Sequence, residues 1–153
     1  MELQEVQEIA EKFIRIHVPE YDFAFNNRKR SVGMCNYTDK IIYLSCHFVA
    51  LLPKEQIINT LTHEIAHALT PGDKHGLKWK AAHKRLGGDG KVTCAHDIPA
   101  EERGYKWRLV SPTGVVLKHW FRKPAKTTFA KVHNFYEGGK KDETLGKCRI
   151  EKI

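Results

Sequence analysis

The sequence predicts an α+β protein in which helices are packed on a small antiparallel sheet and a β-hairpin follows. Three observations carry this. Two long stretches repeat apolar residues at three- and four-residue steps, three short runs between them have strand character, and two more strand-like runs follow residue 98.

In the first helix, Leu3, Val6, Ile9, Phe13 and Ile16 form the apolar stripe, and Pro19 lies just beyond its end. YDFAFNN then puts Tyr21, Phe23 and Phe25 on one face of a half-buried strand. The basic turn RKRS leads to a second strand, VGMCNY, and Thr38-Asp39-Lys40 turns into a third, IIYLS. Short strands with tight connections favour antiparallel pairing. Ser45 is placed to cap a short helical turn through HFVALL. Pro53 suits the first turn of a longer helix, with Glu55 near its positive end. That helix runs to about Leu69, where Pro71-Gly72 breaks it. A further helix from about Leu77 carries Trp79, Ala82 and Leu86 until Gly87-Gly88. After Asp97 come YKWRLV, a Pro-Thr-Gly turn, VVLKHWF and a basic tail, which read as a β-hairpin with an irregular return.

With 153 residues the chain makes one domain, with a small appendage at most, and is long enough to bury a core. No apolar run approaches the roughly 20 residues that a bilayer requires, so no membrane partner is expected. The acidic, amphipathic opening MELQEVQEIAEKF fits neither a secretory signal nor a transit peptide, so a cytoplasmic location is expected, or a nuclear one in a eukaryote; a monomer is also expected. Cys35, Cys46, Cys94 and Cys148 form no CxxC pair and read as buried thiols. Charge is unevenly spread. Residues 103–153 carry a net +9 and residues 1–102 a net −1, so a near-neutral body bears a basic, polyanion-seeking end.

The densest chemistry lies in TLTHEIAHALTPGDKHGLKW, residues 60–79. Helix positions four apart are offset by about 40°, so His63 and His67 share a face and can reach one cation. Glu64, one step round, can lean over the open side of that cation and accept a proton from water. Leu61 and Ile65 lie on the other side of the helix, giving it an apolar back and a coordinating front. A catalytic zinc takes a third protein ligand and keeps a position for water. His75 is the best candidate, since the Pro-Gly turn can fold it back, and Asp73 in the same turn is a second. His83, Cys94 and His96 read as surface or packing residues, with Cys94 and His96 kept as reserve donors. The competing reading is a helix whose histidines are only solvated or hydrogen-bonded.

LTHEIAHAL followed by KHGLKW, with VGMCNYTDKIIYLS upstream and WKAAHKRLGGDGKVTC downstream, resembles the SprT-like zinc metallopeptidase family, which includes bacterial SprT and the Spartan DNA–protein crosslink proteases. The resemblance covers about residues 1–98 and leaves 99–153 as a separate basic subdomain. It implies a zincin-like α+β core with one catalytic Zn²⁺ on His63, His67 and His75 and with Glu64 as base. It also implies a protein substrate, added as an extra strand at an edge near Ile41–Leu44. The short link from His67 to His75 resembles compact bacterial or phage members. Many such proteins end in a two-CxxC zinc ribbon. Here VSPTG puts Ser111 and Gly114 at ligand positions and leaves Cys148 alone, so a degenerate ribbon without metal, held by aromatic packing, is expected.

The basic end interleaves Tyr105, Trp107, Trp120, Phe121 and Phe129 with Lys106, Arg108, Lys118, Arg122, Lys123 and Lys126. Cations neutralise phosphates and flat rings stack on unpaired bases, which suits single-stranded or distorted DNA. The plainer alternative is a small aromatic core kept soluble by Lys and Arg, with Trp120 and Phe121 inside it. Together these readings describe a zinc endopeptidase that cleaves proteins bound to or crosslinked to DNA. The alternatives are a nucleic-acid-binding module with a structural or regulatory zinc, and a zinc hydrolase acting on a small amide.

Overall fold

Helix α1 (Leu3–His17) buries Val6, Ala10 and Ile14, and the small Ala10 lets the helix lie close against its neighbours. The buried line is turned from the expected stripe: Ile9 and Phe13 flank it, and Ile16 stays 64% exposed. The helix ends where Val18 leaves helical geometry, its N–H bonded to the Ile14 carbonyl at 2.8 Å. The computed structural model describes residues 1–93 and 98–153, in two units, Met1–Asp97 and Ile98–Ile153. Among the described residues no helix is long and apolar enough to cross a membrane.

The first sheet holds β1 (Asp22–Asn26), β2 (Gly33–Asn36) and β3 (Ile41–Ser45) in the order β1-β3-β2. The β2–β3 pair is antiparallel as expected, joined by a turn in which Asn36 Oδ1 accepts from the N–H groups of Thr38 and Asp39. The β1–β3 pair is parallel, which corrects the all-antiparallel expectation. Parallel neighbours need a long crossover, and residues 27–40, with β2 inside them, supply it. Ser45 closes that path: its N–H bonds to the Val32 carbonyl at 2.8 Å, and its hydroxyl donates to the Arg28 carbonyl rather than capping α2 (Cys46–Val49). Strand β3 is therefore central, with Ile42 and Leu44 fully buried. The edge expected near Ile41–Leu44 is therefore not on β3; the outer strands of this sheet are β1 and β2.

Pro53 stands at the N-cap position of α3 (Lys54–Leu69), just outside the helix. Ile57, Leu61 and Ile65 of α3 enter the core, and α3 packs on β2, β3, α1 and α4 (Leu77–Arg85). Leu86 caps α4, and Gly87 follows at φ +91°, a left-handed turn that glycine adopts without steric cost.

The second unit is more than a hairpin. Strands β4 (Trp107–Val110) and β5 (Val116–Trp120) are joined by a C-terminal strand β6 (Arg149–Lys152) in an antiparallel sheet of order β5-β4-β6. The return between β5 and β6 carries α5 (Lys126–Ala130), a 3-10 turn at Val132–Asn134 and α6 (Lys141–Thr144). Aromatic packing is present, with Trp107 edge-on to Phe129 at 6.1 Å. The β4–β5 turn, however, is fastened by a carboxylate. Glu137 accepts hydrogen bonds from the hydroxyls of Ser111 and Thr113, its N–H donates to Thr144 Oγ1 at 2.9 Å, and Lys140 lies 3.5 Å from its other oxygen. Polar bonds thus share the role expected of rings alone.

Candidate metal centre and active site

His63 and His67 project from successive turns of α3, and Pro71-Gly72 ends the helix so that His75 swings back towards them. The three Nε2 atoms form a near-equilateral triangle: 3.2 Å between His63 and His67, 3.1 Å between His67 and His75, 3.2 Å between His75 and His63. Tetrahedral bonds of about 2.0–2.1 Å place nitrogen donors about 3.3 Å apart. The triangle fits such an ion, and the three residues can hold a metal.

Electrostatics favours the ligand form. Burial first, then the neighbouring rings of His67, His75 and His83, pushes His63 down to about 3. Burial, with His75 and His83, pushes His67 down to about 4. Neutral imidazoles keep the lone pair a metal needs. Asp73, the second candidate for third donor, is engaged elsewhere. Its Oδ2 accepts from the Trp79 N–H at 2.9 Å and so caps α4, where the N-cap residue Gly76 has no side chain to do so. Among the described residues the ligand atoms that converge are those of His63, His67 and His75, and Asp73 is not in that group. Cys94 and His96 lie outside the described residues. His83 is fully buried, with Nε2 3.2 Å from the Asn59 carbonyl oxygen, so it is a packing residue.

Glu64 sits between α3 and β2, 8% exposed. Burial raises its carboxyl to about 7, against an opposing hydrogen bond from the Cys35 backbone N–H. Gly33 makes this seat possible, since a Cβ there would lie 2.8 Å from Glu64 Cγ and 2.9 Å from Thr60 Cγ2. Sequence reading passed over Gly33; the one signal was a glycine opening the strand that precedes the helix. A cleft of about 530 Å³ opens in front, lined by Cys35, Tyr37, Glu64, His67, Lys74 and His75. Cys35 is a free thiol pushed up to about 12, by burial and then by the Glu64 charge.

In the second unit the predicted basic residues do not behave alike. Lys106, Lys118, Arg122, Lys123 and Lys126 are exposed. Lys118 Nζ lies 5.3 Å from the Trp120 ring and Lys123 Nζ 5.8 Å from the Trp107 ring, and Trp107 and Trp120 are partners in the β4–β5 register. Arg108 is different: its Nε bonds to Glu151 at 2.7 Å, and Glu151 also takes Arg149 at 3.1 Å. Phe121 stacks on Tyr105 at 4.3 Å, which favours packing for that ring, and Trp120 is half-buried.

A mixed sheet beside a helix carrying H-E-x-x-H, with a third imidazole returned to it by a short loop, defines a class of protein built around a three-histidine metal site. No curated protein matches the chain. The model of the SprT-like family matches residues 3–98, and the chain belongs to that family, whose domains are metalloprotease-like and typically zinc-associated.

Proposed function

We propose that the protein is a zinc endopeptidase acting on proteins bound to or crosslinked to DNA. The observation that carries the peptidase reading is the triangle of Nε2 atoms 3.1–3.2 Å on a side, with Glu64 on the same helix beside it. Zinc, when bound by His63, His67 and His75, supplies Lewis acidity that activates water and polarises a carbonyl. Glu64 accepts the proton of the attacking water at its carboxylate and hands it to the leaving amine. Strand β2 orients the substrate. Its one partner among the described residues is β3, so its outer edge is open to an extended peptide. An open cleft beside a strand edge suits a polypeptide better than a small amide.

The DNA part of the reading is supported by the net +9 of residues 103–153 and by the exposed lysines beside Trp107 and Trp120. Lys106, Lys118, Arg122, Lys123 and Lys126 are its phosphate contacts, and Arg108, already paired, contributes least.

Elemental analysis with a casein-cleavage assay, with and without single-stranded DNA, tests both parts. Glu64→Gln is expected to retain zinc and lose cleavage; undiminished cleavage by that variant would refute the mechanism. DNA affinity is expected to fall steeply as salt rises. Salt-independent binding would refute the phosphate contacts.

A further inference from the structure

A metal-bound imidazole is ordinarily oriented through its second ring nitrogen, hydrogen-bonded to a carboxylate or carbonyl. His67 lacks that device: its Nδ1 is buried and has no partner among the described residues. What the rings meet instead is Trp79. Its ring centroid lies 4.7 Å from that of His63, 5.5 Å from His67 and 4.7 Å from His75, so one indole touches all three. It meets His75 edge-on at 89° and lies tilted at 32° to His67. Its Nε1–H donates to the His63 carbonyl at 3.3 Å, tying the indole to the helix that carries two of the three rings. Its own backbone N–H is held by Asp73, and the Gly76 N–H bonds to the Asp73 carbonyl at 2.9 Å, so the segment bearing His75 is closed by the residue it leads to.

We infer that Trp79 is a positioning residue that sets the orientation of all three histidine rings and through them the affinity and geometry of the metal site. The inference rests on the reading of these histidines as metal ligands. The side-chain requirements are specific. His63 and His67 stand four residues apart on the helix, about 6 Å along the axis. A side chain that touches both, reaches His75 and also donates to the His63 carbonyl must be long, flat and equipped with an N–H, and indole has all three properties. Trp79 is also fully buried against Ala66, Ala82 and Leu86. A merely structural role would therefore lower stability and leave the affinity of the folded protein for metal unchanged.

The test is Co²⁺ titration followed by visible absorption, with Zn²⁺ affinity from chelator competition, on wild type, Trp79→Phe and Trp79→Leu, each checked for folding by circular dichroism without metal. The Leu variant is expected to bind both ions at least about tenfold more weakly, the range seen when outer groups that orient ligands are removed, and to show an altered Co²⁺ band. The Phe variant is expected to fall between. A folded Leu variant with wild-type affinity and spectrum overturns the inference. If Leu does not fold, Phe decides: weaker binding with a changed spectrum supports the inference, and wild-type behaviour overturns it. Wild-type protein that binds neither ion would overturn the metal reading itself, an outcome distinct from equal binding by wild type and variant.

Discussion

Replacing Gly33 with alanine isolates Glu64 from the metal ligands. The added Cβ would lie 2.8 Å from Glu64 Cγ, 2.9 Å from Thr60 Cγ2 and 3.0 Å from Glu64 Oε1. Carbon atoms rest at about 3.5–4.0 Å, so the two carbon contacts fall short by about 0.6 Å or more. Thr60 cannot easily yield, since a β-branched side chain is stiff and its hydroxyl is bonded to the Gln56 carbonyl at 2.9 Å. The shift falls on Glu64 or on β2. Overpacking of this kind costs about 1–3 kcal/mol of stability, and a catalytic group displaced by about 1 Å costs on the order of 10²-fold in rate. None of the atoms in the clash belongs to His63, His67 or His75. Urea unfolding, zinc competition and casein cleavage on Gly33→Ala are therefore expected to show reduced stability, intact metal affinity and a rate near one hundredth of wild type. Full activity would refute the placement of Glu64. Parallel loss of metal would show that the disturbance reaches the histidines.

Asp73→Ala removes the acceptor for the Trp79 N–H and is expected to cost about 1 kcal/mol, the usual worth of a helix cap, read as a lower thermal midpoint; Asp73→Asn should lose less. Lys40 stands at φ +52°, so Lys40→Gly is expected to stabilise by up to about 1 kcal/mol while Lys40→Val destabilises, and reversal of that order in urea titrations would refute the strain. Hydrogen bonds from Thr113 and Ser111, then Lys140, hold the Glu137 carboxyl below its ordinary 4.5. Its stabilising contribution is therefore complete above that value and lost as pH falls through the lower folded value. Acid unfolding followed by Trp107 and Trp120 fluorescence is expected to show a transition below pH 4.5 that Glu137→Gln flattens.

The site was more legible in the sequence than the sheet, for a physical reason. A helix converts sequence spacing directly into a shared face, so His63, Glu64 and His67 could be placed by arithmetic, and the Pro71-Gly72 break pointed to His75. Strand alternation says which side chains share a face but not which strand is a neighbour or in which direction it runs. Three short runs with tight connections suggest antiparallel pairing, whereas β3 inserts between β1 and β2 and runs parallel to β1. The fully buried Ile42 and Leu44 are what a central strand requires, and the apolar density of IIYLS was the available signal. Arg108 shows the opposite limit: its partner Glu151 comes from β6, at the far end of the chain, and no local pattern reveals that its charge is shared. The Glu137 clip was hidden in the same way, since its partners Ser111 and Thr113 lie across a long return.

Strand β2 links the two halves of the proposed mechanism. The Val32 carbonyl bonds to the Ser45 N–H, so the backbone groups of Val32, Met34 and Asn36 turn towards β3 and those of Gly33 and Cys35 turn away. The outward Cys35 N–H is the one that donates to the Glu64 carboxylate. The edge proposed to receive a peptide is therefore the edge that holds the base, and Gly33, two residues earlier, is a position where an added Cβ would meet Glu64. A peptide adding there must share the strand with Glu64, pairing through the remaining outward groups of Gly33 and Cys35. Binding and proton transfer are then coupled through a single strand, so substitutions along Gly33–Cys35 should change KM and kcat together, whereas Glu64→Gln should change kcat with KM little altered.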